Sequence, residues 1–141
     1  GGMANDLKGL LSLSGGVVSG LIVGDRIEEG LSSGVIDRVK RVLGIPDRQL
    51  SATLGLSART MTRLRKSKRR LPLPVGDRLY RLARTFTLAV DVLEDPVRAR
   101  EWLHAPQVGL NNRIPLNVLA TEAGAREVED LLRRIDLGVI A

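Results

Sequence analysis

Cysteine is absent from the 141-residue chain, histidine occurs once, and only Tyr80, Phe86 and Trp102 are aromatic. Without thiols there is no disulfide, no thiolate metal site and no cysteine nucleophile. His104 has no carboxylate at a metal-ligand spacing; a surface helix end, where it would favour the helix dipole, accounts for it better. No apolar run is long enough to span a bilayer and no secretory signal is evident, so a cytoplasmic protein without membrane contact is expected. Serines abound, yet none has a G-x-S-x-G or comparable setting. The glycines of residues 15–34 match neither a P-loop nor a dinucleotide fingerprint after a strand. These absences leave no catalytic constellation, and neither an enzyme nor a cofactor or metal is expected.

What is present is positive charge, and it is concentrated. The net charge of +6 divides into −3 over residues 1–37, +12 over residues 38–90 and −3 over residues 91–141. A solubility charge would be spread out; this segregation predicts one polyanion-facing surface. Residues 59–70 contain seven Lys or Arg, no acid and no aromatic. Single-strand binders stack bases on aromatic side chains, so duplex DNA is the favoured polyanion.

Residues 50–70, LSATLGLSARTMTRLRKSKRR, carry a helix-turn-helix signature. Leu50 and Leu54 lie four apart, Gly55 interrupts, Ser57 is a good N-cap, and Met61 and Leu64 restart a helical stripe. That order places a second helix in the major groove. Arg59, Thr62 and Arg63 are base-edge candidates, since Arg bridges guanine O6 and N7 and Thr reaches a base edge or thymine methyl. Lys66, Lys68, Arg69 and Arg70 suit phosphates, as do Ser57 and Thr60 at the helix start. The competing account is a solvated basic helix face. Such modules bind paired half-sites as symmetric dimers, with the N-terminal helices or a long helix over residues 75–93 as the seam.

The remaining punctuation predicts helices throughout. Gly1 and Gly2 ahead of Met3 read as a tag remnant, and residues 1–20 as a flexible arm. A short helix is expected over residues 25–30, another over 35–43 closed by Gly44 and Pro46, and Asp47 is expected to cap the next. Pro72 and Pro74 predict a stiff connector and a module boundary, giving a DNA-binding module over residues 21–71 and a second helical module over 72–141. Val75, Leu79, Leu82, Phe86, Val90 and Leu93 form a long stripe, Asp95-Pro96 starts a helix to His104, and Trp102 is expected to anchor the core. Ala105 opens a loop running to Arg113, Pro115 begins a single turn, and Thr121 caps a last helix facing inward with Ala125, Val128, Leu131, Leu132 and Ile135. No alternating strand pattern exceeds four residues. The fold class is all-α.

The run from Leu43 onward resembles the Xre/MbcA/ParS family of antitoxins. The resemblance is carried by Leu43-Gly44-Ile45, by Leu54-Gly55-Leu56-Ser57-Ala58-Arg59-Thr60, and by Asp95-Pro96 with Ala99-Arg100-Glu101-Trp102-Leu103. It continues through Arg113-Ile114-Pro115-Leu116, the segment from Thr121 to Val128, Leu132-Arg133-Arg134-Ile135 and Gly138-Val139. It implies a helix-turn-helix module that binds the operon's own promoter, and a helical module that grips a RES-type toxin, an enzyme that degrades NAD or uses it to ADP-ribosylate a target. It further implies occlusion of the toxin's NAD pocket, partly by the C-terminal segment. The loop Gly109-Leu110-Asn111-Asn112-Arg113 departs from the glycine pair many relatives carry there.

The toxin-facing candidates are Asn112, Arg113, Arg126, Arg133, Arg134, Gly138, Val139, Ile140 and Ala141. The apolar tail after Gly138 either enters a partner's pocket or folds back on Leu131 and Ile135. Arg126 either meets the toxin or pairs with Glu122 or Asp130 on its own helix. The expected function is an antitoxin and autorepressor, as a homodimer or toxin–antitoxin hetero-oligomer. The alternative is a stand-alone helix-turn-helix transcriptional repressor with a helical dimerisation domain.

Overall fold

Capping residues fix nearly every helix end. A computed structural model describes residues 33–67 and 69–138. Helix α1, Gly34–Leu43, buries Val35, Ile36, Val39, Val42 and Leu43, and stops where left-handed Gly44 (φ 64°) donates its N–H to the Lys40 carbonyl. Helix α2, Asp47–Leu54, ends likewise at Gly55, φ 68°. Helix α3, Ala58–Lys66, starts at Ser57, whose Oγ accepts the Thr60 N–H at 3.1 Å. Helix α4 is the long Leu73–Leu93, and α5 is Pro96–His104, capped by Asp95 accepting from Val97 N–H at 3.2 Å. A 3-10 turn, Val108–Leu110, and the short α6, Pro115–Val118, lead to α7, Glu122–Asp136. Thr121 Oγ1 caps α7 by accepting the Gly124 N–H at 3.0 Å. Among the described residues there is no strand; Gln107 and Arg113 form an isolated bridge. The fold is all-α, with the helix-turn-helix in the N-terminal half and a helical module after it.

Three details differ from expectation. Pro46 occupies the N-cap position of α2 and Asp47 is the first helical residue, so Asp47 is not the cap; its carboxylate is drawn to Lys40 and Arg65 instead. Pro72 is extended, but Leu73 and Pro74 already belong to the first turn of α4, where a missing N–H and a fixed φ cost nothing. Trp102 is only half-buried; the fully buried aromatic is Phe86, on α4. The expected arm and the helix at residues 25–30 lie outside the described residues.

Helix α4 packs against α1, α2, α5 and α7. Its inward residues Leu79, Leu82, Phe86 and Val90 join Ile36, Leu50, Leu54, Leu103, Leu116 and Leu131 in one apolar cluster. Burying each such side chain is worth about 1.5–3 kcal/mol, so this cluster dominates the folding energy. Two arginines, one on α4 and one on α5, reach back to the ends of the first two helices. Arg78 donates to the Leu54 carbonyl at 2.7 Å, at the last turn of α2. Arg100 donates to the Val42 carbonyl at 3.1 Å, at the last turn of α1. Each satisfies a helix-end carbonyl that has no partner in its own helix.

Candidate nucleic-acid and partner interfaces

Helix α3 is amphipathic in charge as well as apolarity. Met61 and, four residues on, Arg65 face inward, Met61 being buried among the core residues. Arg59, Thr62, Arg63 and Lys66 share the outward stripe and are exposed. None of the three basic residues of that stripe makes an ion pair among the described residues. Thr62 Oγ1 donates to the Ala58 carbonyl at 3.0 Å. Ser57 Oγ donates to Thr60 Oγ1 at 2.9 Å, so both expected phosphate ligands at the helix start are joined to each other. Arg69 and Arg70 are exposed beyond the helix, and Lys68 lies outside the described residues.

Arg65 does not belong to that outer surface. Its guanidinium reaches Asp47 at 2.8 Å and Asp37 at 3.0 Å, tying α3 to α2 and α1. Hydrogen bonds from Arg65 and then Lys40 hold the Asp47 carboxyl at about 2, well below its ordinary 3.8. These contacts neutralise two acids that would otherwise repel a polyanion. Sequence reasoning also passed over Arg48, exposed in the first turn of α2 beside a cleft of about 240 Å³ that Ser51, Ala58 and Thr62 line. The first helix of such a motif crosses the DNA backbone, which makes Arg48 a phosphate candidate. Its signal in the sequence was a cation one residue into a helix preceding the recognition helix.

The basic block is therefore not a single surface. Arg78, Arg81 and Arg84 lie on α4 and turn inward or toward α7. Arg81 meets Glu122 at 3.0 Å and the Ala120 carbonyl at 3.2 Å; Arg84 meets Glu129 at 2.7 Å and Glu122 at 3.3 Å. Burial pushes the Glu122 carboxyl up, but hydrogen bonds from Arg81 and Arg84 outweigh it and hold it below its ordinary value. Charge segregation along the chain thus also serves as attraction between the basic and acidic parts.

The second module presents a closed loop over residues 107–113. Gln107 N–H donates to the Arg113 carbonyl at 3.1 Å, and Asn112 N–H to the Gln107 carbonyl at 2.9 Å. The Gln107 side-chain amide donates to the carbonyls of Trp102 and Ala105 at 2.9 and 3.2 Å. Arg113 donates to the Leu110 carbonyl at 2.7 Å and forks onto both oxygens of Glu127 at 2.6 and 3.2 Å. That pairing lowers the Glu127 carboxyl from its ordinary value. Asn111 and Asn112 adopt φ of 56° and 64°, left-handed conformations that asparagine enters more readily than other non-glycine residues. Of the toxin-facing candidates, Asn112 and Arg113 are in this loop and exposed. Arg126, Arg133 and Arg134 are exposed on α7, and Arg126 lies 3.8 Å from Glu122, a loose i,i+4 pair. Gly138 is exposed at φ 75°, and Val139, Ile140 and Ala141 lie outside the described residues.

Among the described residues no group of three or more His, Cys, Asp or Glu is placed to hold a metal ion. No helix there is long and apolar enough to cross a membrane.

An exposed basic recognition stripe on a helix-turn-helix, fused to a helical module with its own rigid loop, defines a two-part protein. Comparisons with known proteins also find two domains, with the changeover inside α4. The model for the antitoxin Xre-like helix-turn-helix domain matches residues 23–84, and that for the antitoxin Xre/MbcA/ParS C-terminal toxin-binding domain matches residues 88–138. Proteins named Antitoxin Xre are similar along most of the chain. That of Yersinia enterocolitica is 34% identical over 123 residues, covering 86% of this chain and 83% of its own. That of Photorhabdus laumondii is 27% identical over 116 residues, covering 82% and 78%. The Pseudomonas putida protein is 30% identical over 107 residues, covering 74% and 59%. The chain belongs to the Xre antitoxin family.

Proposed function

We propose that this chain is a non-enzymatic antitoxin that neutralises a RES-type, NAD-consuming toxin by occluding its NAD pocket, and that it represses its own operon through α3. The observation that carries the reading is the pairing, in one chain, of an unpartnered basic recognition stripe with residues matched to a toxin-binding domain. On DNA, Arg59, Thr62 and Arg63 read base edges from the major groove, while Arg48, Lys66, Lys68, Arg69 and Arg70 hold phosphates, with Ser57 and Thr60 at the helix start. Residues 21–71 act as the DNA module and 72–141 as the toxin module. On the toxin, Asn112, Arg113 and the outward arginines of α7 supply the polar contacts. The segment Gly138-Val139-Ile140-Ala141 enters the pocket, excluding NAD by volume. The DNA-bound form is a homodimer or a toxin–antitoxin hetero-oligomer, since half-sites come in pairs.

The test is recovery of the chain from its native host, identification of what co-purifies, and assay of that partner on NAD before and after the chain is stripped away. Activity released on stripping supports the reading; a self-dimer with DNA alone supports a plain repressor. Replacing Arg59 and Arg63 together by Ala should weaken operator binding by about 2–6 kcal/mol, with toxin neutralisation intact. Removing residues 136–141 should do the reverse.

A further inference from the structure

Val108 is the most exposed large apolar side chain among the described residues, at 79%. Its neighbour Leu110 is buried at 2% and anchors the turn that carries it. The loop around it is heavily cross-linked, with two consecutive left-handed asparagines, the Gln107–Arg113 closure and the Arg113–Glu127 fork. Such a loop holds an isopropyl group in water, where it contributes nothing to the fold. An anchor already fixed in position loses little freedom on docking, which is what makes a small apolar contact productive.

From this geometry we infer that Val108 is the apolar anchor of the toxin interface, seated in an apolar recess of the toxin and rimmed by Asn112 and the Arg113–Glu127 pair. The inference rests on the antitoxin reading above and deepens it. The occupant is the toxin rather than a second copy of this chain, for two reasons. The loop lies within residues 88–138, which match the toxin-binding domain. The apolar surface the turn offers is also a single side chain, Val108, and two copies of it meeting across a symmetry axis cannot bury the roughly 1,200 Å² that a stable interface needs. A concave surface on a different protein can enclose that side chain. The polar rim would shield the contact from water, the arrangement that concentrates binding energy in a few central residues.

The test uses the full-length chain and the isolated toxin from the pull-down above. Binding is measured by calorimetry, and inhibition by loss of NAD turnover. Val108→Asp is compared with wild type, with Val108→Ile, and with Val97→Asp, which places the same charge on the 51%-exposed valine of α5. The expected result is a Kd raised about thirtyfold or more for Val108→Asp, against less than about threefold for Val108→Ile and Val97→Asp. Melting temperatures should be unchanged. Wild-type affinity in Val108→Asp, or equal loss in both aspartate variants, overturns the inference. So does a change in self-association, by sedimentation, without a change in toxin affinity. Failure of the wild-type chain itself to bind the toxin would overturn the antitoxin reading and this inference with it, an outcome distinct from failure of the variant alone.

Discussion

Gly124→Ala sets two physical effects against each other, and the structure decides between them. Gly124 is the third residue of α7, and in an exposed helix interior alanine would stabilise over glycine by about 1 kcal/mol. Here a Cβ would sit 1.7 Å from the Val118 carbonyl oxygen and 2.8 Å from its carbon, both backbone atoms. Relief requires α6 to move away from α7, since a carbonyl has no rotamer to change. Overpacking of this kind costs about 1–3 kcal/mol, and more when backbone must shift. The same Cβ would lie 3.1 Å from Thr121 Oγ1, endangering the α7 cap, a further loss of about 1 kcal/mol. Setting about 4 kcal/mol against a gain of about 1, the net destabilisation is about 3 kcal/mol, or a melting temperature lower by roughly 10 °C. Urea unfolding followed by Trp102 fluorescence and far-UV circular dichroism measures it. Gly138→Ala is the control, because φ there is 75° but nothing lies within 4 Å of the added carbon. It should cost only the left-handed penalty of roughly 1–2 kcal/mol. A Gly124→Ala protein as stable as wild type would refute the close-packing argument.

Three other changes probe separate features. Asp47 has a folded-state value of about 2 against an ordinary 3.8, so its stabilisation is present above about pH 4 and is lost as pH falls toward 2; the stability gap between wild type and Asp47→Asn should close across that window in acid titration. Thr85 is fully buried on α4 and its hydroxyl has no partner among the described residues, so Thr85→Val should raise stability by about 1 kcal/mol in urea, and a loss would show that the hydroxyl is bonded. Arg100→Met keeps the aliphatic stem but abandons the Val42 carbonyl; it should cost about 1–2 kcal/mol, and an unchanged urea midpoint would count against the cross-module cap.

Helix limits were legible because they depend on neighbouring residues. Ser57, Thr121, Asp95, Gly44 and Gly55 each end or begin a helix by a bond to a backbone group a few positions away. The outward stripe of α3 followed from the same short range. Features made by distant partners were not legible. Arg65 reads like any other cation of its run until α1 and α2 bring Asp37 and Asp47 to it. Arg81 and Arg84 lie in the basic block, yet their partners are 38–45 positions later. The loop at residues 107–113 was recognisable as a departure from a glycine pair, but not in shape. Asn111 and Asn112 fill left-handed positions that glycine would occupy without cost, as the side chain most tolerant of that region after glycine. Asp47 was misplaced because residue type alone named it a cap, while Pro46 takes the geometric position.

The arginine caps bear on whether one segment can be exchanged without the other. The Val42 carbonyl ends a helix of the DNA half and is satisfied by Arg100, a residue of the segment matched to toxin binding. Gly55, at the turn before the recognition helix, is overlaid by Arg78, whose guanidinium would lie 2.8 Å from any added Cβ. Replacing the segment that carries Arg100 by a foreign counterpart therefore leaves the end of α1 uncapped. The two segments are thus coupled in stability, and exchange of one alone exposes a carbonyl that the native pair satisfies.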